Sequence, residues 1–191
     1  MTKKESDIEL CKFARLYLGS SNWSWLQKTS KEELKLFKSF PINLATSYIV
    51  YGTPEMLSKF KAFYLTRCLK SRPLYMQCFI GDYANALMSS TKDEYGLNID
   101  QDLIFLYIHE HSISEIGKSE MWLSGTILNK VASRNREGLV TIILSEIRVA
   151  SLEAPREFKI IRLNKVMATA SLQEAMTSIK NNGNDEGAVF N

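Results

Sequence analysis

The chain encodes a three-layer α/β domain, with about five mostly parallel strands covered by helices and a helical amino-terminal extension in front. Three observations predict it. Short apolar runs alternate with segments of helical period, as in a string of βαβ units. The runs "LYMQCFI", "LIFLYI" and "LVTIILS" are apolar at most positions on both faces, as in a parallel sheet covered by helices on each side. The chain has 191 residues and is 45% hydrophobic, enough for one medium-sized core.

The elements follow in order. Ile8, Cys11, Ala14 and Leu18 recur at spacings of three and four, which predicts a helix over 5–18 with one apolar stripe. "GSSNWSW" (19–25) then breaks it, and Trp23 and Trp25 either pin this loop to the domain or anchor a partner. Ser30 and Glu33 have the spacing of a capping box, so a second helix covers 30–40 with Leu34, Phe37 and Phe40 inward. A strand at 47–51 leads to a helix over 57–69, whose Leu57, Phe60, Tyr64 and Cys68 share a face. The strand at 74–80 ends at Gly81 and Asp82, which turn the chain into a short helix over 83–90. A polar loop precedes the most apolar strand, 103–108. A helix over 119–133 carries Leu123, Ile127 and Val131 in register, and Gly138 ends the link after it. The last strands are 139–145 and 158–163. The apolar period stops after Ile179, which predicts a short helix and a loose tail over 169–191. The expected layout is therefore an extension over 1–44, a core over 45–168 and the tail.

Bulk chemistry limits the function classes. Charged residues make up 24% and the formal net charge is +3, too small an excess to argue for nucleic acid. Cys11, Cys68 and Cys78 are odd in number and lie in apolar-rich segments, which suits buried, reduced thiols in a cytoplasmic protein. The amino terminus turns polar at once, and no stretch approaches the ~20 apolar residues of a membrane helix.

In such a fold the ligand site lies at the carboxyl ends of the strands, so the strand exits carry the chemistry. "IVYGTPEMLSKF" (49–60) opens like a phosphate loop, with Gly52 and Thr53 after a strand and Ser58 and Lys59 where a helix could start. Leu57 replaces the second glycine, Lys59 arrives one place late, Pro54 removes an N–H and Glu55 adds negative charge. "LIFLYIHEH" (103–111) ends in Tyr107, His109 and Glu110, with Glu110 a lone candidate base. His109 and His111 share a strand face without a third ligand at zinc spacing, so no metal is expected. Ser145 and Glu146 leave the 139–145 strand, and Glu146 has the wrong sign for phosphate. Lys130, Arg134 and Arg136 crowd a helix end, where they suit the helix dipole. Arg156, Lys159, Arg162 and Lys165 could follow a nucleic-acid backbone, although Glu153 and Glu157 interrupt them.

"SYIVYGTPEMLSKFKAFYLTRCLKS", "RPLYMQCFI", "DLIFLYIHEH" and "SEMWLSGTILNKVASRNREGLVTIILSE" together resemble the AAA+ ATPase core of bacterial helicase loaders and their transposon-encoded relatives. The resemblance spans 47–146 and implies a P-loop NTPase-like core. Carried over by position, Gly52, Thr53, Ser58 and Lys59 cover the phosphate loop imperfectly, Tyr107 to Glu110 cover the magnesium-acid position without an aspartate, and Glu146 stands at the sensor asparagine. It implies a degenerate, non-catalytic ATPase-like module without a cofactor, acting by protein contact or self-association in DNA replication, transposition or another mobile-element process. The alternatives are an ATPase using ATP and magnesium, with Lys59 on phosphate and Glu110 as base, and a nucleic-acid-binding protein.

Overall fold

A computed structural model describes residues 3–88, 100–109, 120–153 and 158–163. The tail over 169–191, the loop over 91–99, and Glu110, His111, Arg156 and Lys165 lie outside them. The extension comprises α1 (Lys3–Gln27) and α2 (Lys31–Ser39). The core follows as β1 (Tyr48–Tyr51), α3 (Pro54–Arg67), β2 (Tyr75–Phe79), α4 (Ile80–Met88), β3 (Leu103–Ile108), α5 (Glu120–Arg136), β4 (Val140–Ser145), α6 (Ala150–Glu153) and β5 (Lys159–Arg162).

The five strands form one sheet in the order β2-β3-β4-β1-β5, and every pairing is parallel. This is the three-layer, parallel α/β architecture expected. Successive strand residues point to opposite faces, and the core divides accordingly. Tyr48 and Val50 of β1 face α3, where Leu57, Phe60, Phe63 and Tyr64 meet Leu18 of α1 and Phe37 of α2. Ile49 and Tyr51 face the other side, with Ile80, Tyr83 and Ala84 of α4 and Ile127 and Val131 of α5. The extension thus adds to the first core: Phe37 meets Phe60 edge-on at a centroid distance of 5.6 Å.

Several local expectations are corrected. The helix over 5–18 does not give way to a loop. After a single non-helical residue, Gly19 (φ 74°, ψ 164°), α1 resumes and runs to Gln27. Packing overrides the weak propensity of Gly, Ser and Asn here, because Asn22 is buried and Trp23 and Leu26 rest on the first core. The break is satisfied chemically: the Leu18 carbonyl accepts from Asn22 Nδ2 at 2.8 Å and from Tyr75 Oη at 3.1 Å. Gly19 occupies a backbone region essentially restricted to glycine. Gly19→Ala is therefore expected to cost about 1–3 kcal/mol, read as a lower urea midpoint at unchanged m-value.

Cys11 is exposed, not buried; Cys68 is buried and Cys78 half-buried. Gly81 and Asp82 do not turn the chain but lie in the first turn of α4, which leaves β2 directly. The helix after β1 begins at Pro54, three residues earlier than its apolar stripe suggests, because Thr53 caps it and proline suits the first helical position. The Ser30–Glu33 capping box is present in both directions.

At the amino-terminal edge of the sheet, the side chain of Arg134 is fully buried. It is not a surface charge merely favouring the helix dipole. Its Nε donates to Thr141 Oγ1 at 3.1 Å, and its Nη2 to the carbonyls of Gln101 (2.7 Å) and Val140 (3.2 Å). Ser47 extends this network, donating to Asn135 Oδ1 and accepting from the Thr141 amide.

Candidate functional site

The chain leaves β1 through α3 toward β2, while it leaves β4 through α6 toward β5 on the far side of β1. The crevice between β1 and β4 is thus the place where the connections diverge, and where ligands of open α/β sheets bind. Gly52 and Ser145 stand there. The Gly52 amide donates to the Ser145 carbonyl at 3.2 Å, and Ser145 Oγ donates to the Ile147 carbonyl at 2.5 Å. Two side chains crowd Gly52. A Cβ built on it would lie 3.3 Å from Leu163 and 3.6 Å from Leu57, and both leucines are buried. Apolar carbon therefore stands where the motif's second glycine would open its backbone.

The remaining loop residues are dispersed. Thr53 is the helix cap, its Oγ1 accepting from the Met56 amide at 3.4 Å. Because α3 starts at Pro54, Ser58 and Lys59 lie in its second turn and not at its mouth. Lys59 Nζ sits 2.8 Å from Glu33 Oε1 and 2.7 Å from Glu55 Oε1. The other oxygen of Glu33 accepts from the Ser30 amide at 2.7 Å. One carboxylate thus closes the α2 cap and clamps α2 to α3. The bonds to Glu33 and Glu55 raise the Lys59 pKa, and the bond to Lys59 lowers that of Glu33.

A second group gathers at the exits of β2, β3 and β4. Tyr107, His109 and Glu146, separate in the chain, converge: His109 Nδ1 lies 2.5 Å from Glu146 Oε1, and the Tyr107 and His109 rings stack at 6.4 Å. Phe79 joins them, 5.1 Å from the His109 ring and 50% exposed. Beneath lies Lys61, buried on α3, with Nζ 2.6 Å from Gln77 Oε1 and 5.4 Å from the centre of the Tyr107 ring. Burial pulls the Lys61 ammonium down to about 8 and raises the Tyr107 phenol. Sequence reasoning missed Phe79 and Gln77, and read Lys61 only as one of a set of basic residues. Lys61 did leave a signal: it falls four residues after Leu57 and three before Tyr64, on their buried stripe.

A third group flanks β1 on the other side. Arg148 makes a two-pronged bond to Glu153, with Nη2 at 2.9 Å and Nε at 3.2 Å from both oxygens. Arg162 Nη2 reaches the same carboxylate at 3.3 Å, and its guanidinium stands 5.7 Å from the Tyr51 ring centre. Burial alone would raise the Glu153 pKa, but the bond from Arg148 and the charges of both arginines lower it. Lys159 is exposed on β5. Trp23 packs on the first core, and half-buried Trp25 lies under Lys28 Nζ at 4.9 Å.

No helix among the described residues is long and apolar enough to cross a membrane. No protein-family model matches the chain, and no curated protein sequence does. Solved structures similar to it include a DNA replication initiation factor, 12% identical, with 86% of this chain and 51% of that one covered at a TM-score of 0.40. Another is AMPPCP-bound DnaA from Aquifex aeolicus, also 12% identical, with 91% and 54% covered at a TM-score of 0.42. The chain spans about half the length of each.

Proposed function

We propose that this chain is a non-catalytic, P-loop-ATPase-like module that works through protein–protein contact, in DNA replication, transposition or another mobile-element process. The process comes from the resemblance of residues 47–146 to helicase loaders. The loss of catalysis rests on one observation: Leu57 and Leu163 pack against Gly52, in the corner a phosphate cradle needs open. The Lys59 clamp agrees with it, since a phosphate-binding lysine would have to leave two carboxylates. The contact surface we assign is the strand-exit group, where exposed Phe79 continues into Tyr107 and His109.

Thermal unfolding with millimolar Mg-ATP tests the reading. No shift is expected. A nucleotide at 100 times its dissociation constant would add ~2.7 kcal/mol, and a stabilisation of that size would replace the module with an ATPase using Lys59 and Glu110.

A second reading, nucleic-acid contact, has one observation in its favour. Folding brings Arg148 beside Arg162, both about half exposed, on the flank where Arg156 and Lys165 adjoin in sequence. Backbone contacts would make binding of a labelled single strand fall steeply with salt. Salt-independent or absent binding removes this reading.

A further inference from the structure

The sheet has two edges, β2 and β5, and they are finished differently. β5 exposes Lys159 and Arg162, and charge of this kind is how natural sheets keep a free edge from pairing. β2 contains neither a charge nor a proline. Its free side can be read from the ladder. The Leu103 amide donates to the Leu74 carbonyl at 3.1 Å, and Tyr75 pairs with Leu103 in parallel register. Residues 74, 76 and 78 thus bond to β3, and the amides of Tyr75, Gln77 and Phe79 point outward. Among the described residues no strand pairs with them. Gln77 is exposed at the middle of this edge, and Leu74 (69%) and Phe79 are exposed at its ends.

We propose that this edge pairs with the same edge of a second copy of the chain, the two β2 strands running antiparallel about a two-fold axis at Gln77. The inference rests on the protein-contact reading above and names the partner. In that register the strand is complementary to itself, as a two-fold interface requires. Gln77 meets its counterpart and exchanges both backbone bonds with it. Tyr75 lies opposite Phe79 on one face and Met76 opposite Cys78 on the other, so aromatic meets aromatic and apolar meets apolar. The flanking charges fix the direction. Arg72 and Asp82 are the first charged residues beyond the strand on its two sides, and both are exposed. Arg72 rests on the Phe13 ring at 4.1 Å, and neither residue makes an ion pair among the described residues. Antiparallel pairing about Gln77 sets Arg72 of one copy and Asp82 of the other at the same end of the ribbon, with opposite charges at both ends. Parallel pairing in register would bring like charges together.

Sedimentation velocity of the whole chain, from micromolar to near-millimolar concentration, tests it on wild type, Arg72→Asp, Asp82→Arg and the double exchange. Wild type is expected to pass from monomer to dimer as concentration rises. Each single reversal sets like charges at both ends of the ribbon and is expected to raise the dissociation constant about ten-fold. The double exchange is expected to restore the wild-type value, because opposite signs meet again, and that recovery excludes misfolding as the cause of the loss. The dimer is overturned if wild type stays monomeric throughout, if the single reversals associate as wild type does, or if the double exchange does not recover. A monomeric wild type leaves the loss of catalysis to its own Mg-ATP test, so the two failures are distinguishable.

Discussion

Arg134→Ala is expected to destabilise the protein by roughly 3–5 kcal/mol. The guanidinium is fully buried and donates to Thr141 Oγ1 and to the carbonyls of Gln101 and Val140. Its removal leaves those acceptors buried and a side-chain-sized void between α5 and the amino ends of β3 and β4. Lysine cannot restore the geometry, since a single ammonium does not span acceptors arranged for a planar fork. Arg136, two residues on and exposed, is the control, and its alanine variant should stay within about 0.5 kcal/mol of wild type. Urea unfolding of both variants measures the contrast. A loss under about 1 kcal/mol at Arg134 would mean that Arg134 is not the pin described.

Lys61→Met is expected to act in the opposite direction, stabilising the protein at neutral pH by about 1–3 kcal/mol. The Lys61 ammonium falls from its ordinary 10.5 to about 8 because it is buried. Folding at pH 7 must therefore bury a charge that water holds better, and its compensations are one bond to Gln77 and the Tyr107 ring. Methionine keeps the length and removes the charge. The pH dependence gives the stricter test. Between pH 8 and 10.5 the folded protein has shed the proton that the unfolded chain still holds, so wild type gains stability relative to the variant as pH rises through that window. The advantage of Lys61→Met should be full below pH 8 and largely gone above 10.5. The difference must be followed rather than wild type alone, because burial also raises Cys68 to about 11 and Cys78 to about 12, which erodes stability above pH 9 in both proteins. A pH-independent difference would show that Lys61 is charged in the fold at little cost.

The parallel sheet and its layers follow from patterns that depend on few residues at a time. Apolar runs such as Leu103–Ile108 have one economical environment, a strand covered on both faces, and the helices between them force parallel crossovers. The Ser30–Glu33 box was equally readable, because its two bonds join residues three apart. What local pattern could not supply was the meeting of distant groups. Tyr107 and His109 were visible as a strand exit and Glu146 as another, yet the pairing of His109 with Glu146 across 37 residues depends on β3 and β4 being neighbours. Lys59 carried the strongest motif signal in the chain, and the fold spends it on Glu33 of α2, because α3 begins at Pro54 and turns that side of the helix toward the extension.

The division has a physical reason. Hydrophobic burial and backbone hydrogen bonding act on any residue of the right type, so spacing along the chain was enough to specify five strands, their covering helices and the capped α2. Electrostatic and hydrogen-bond partners must lie within a few ångströms, and three-dimensional packing alone brought Arg134 to Thr141, Glu33 to Lys59 and Leu163 to Gly52.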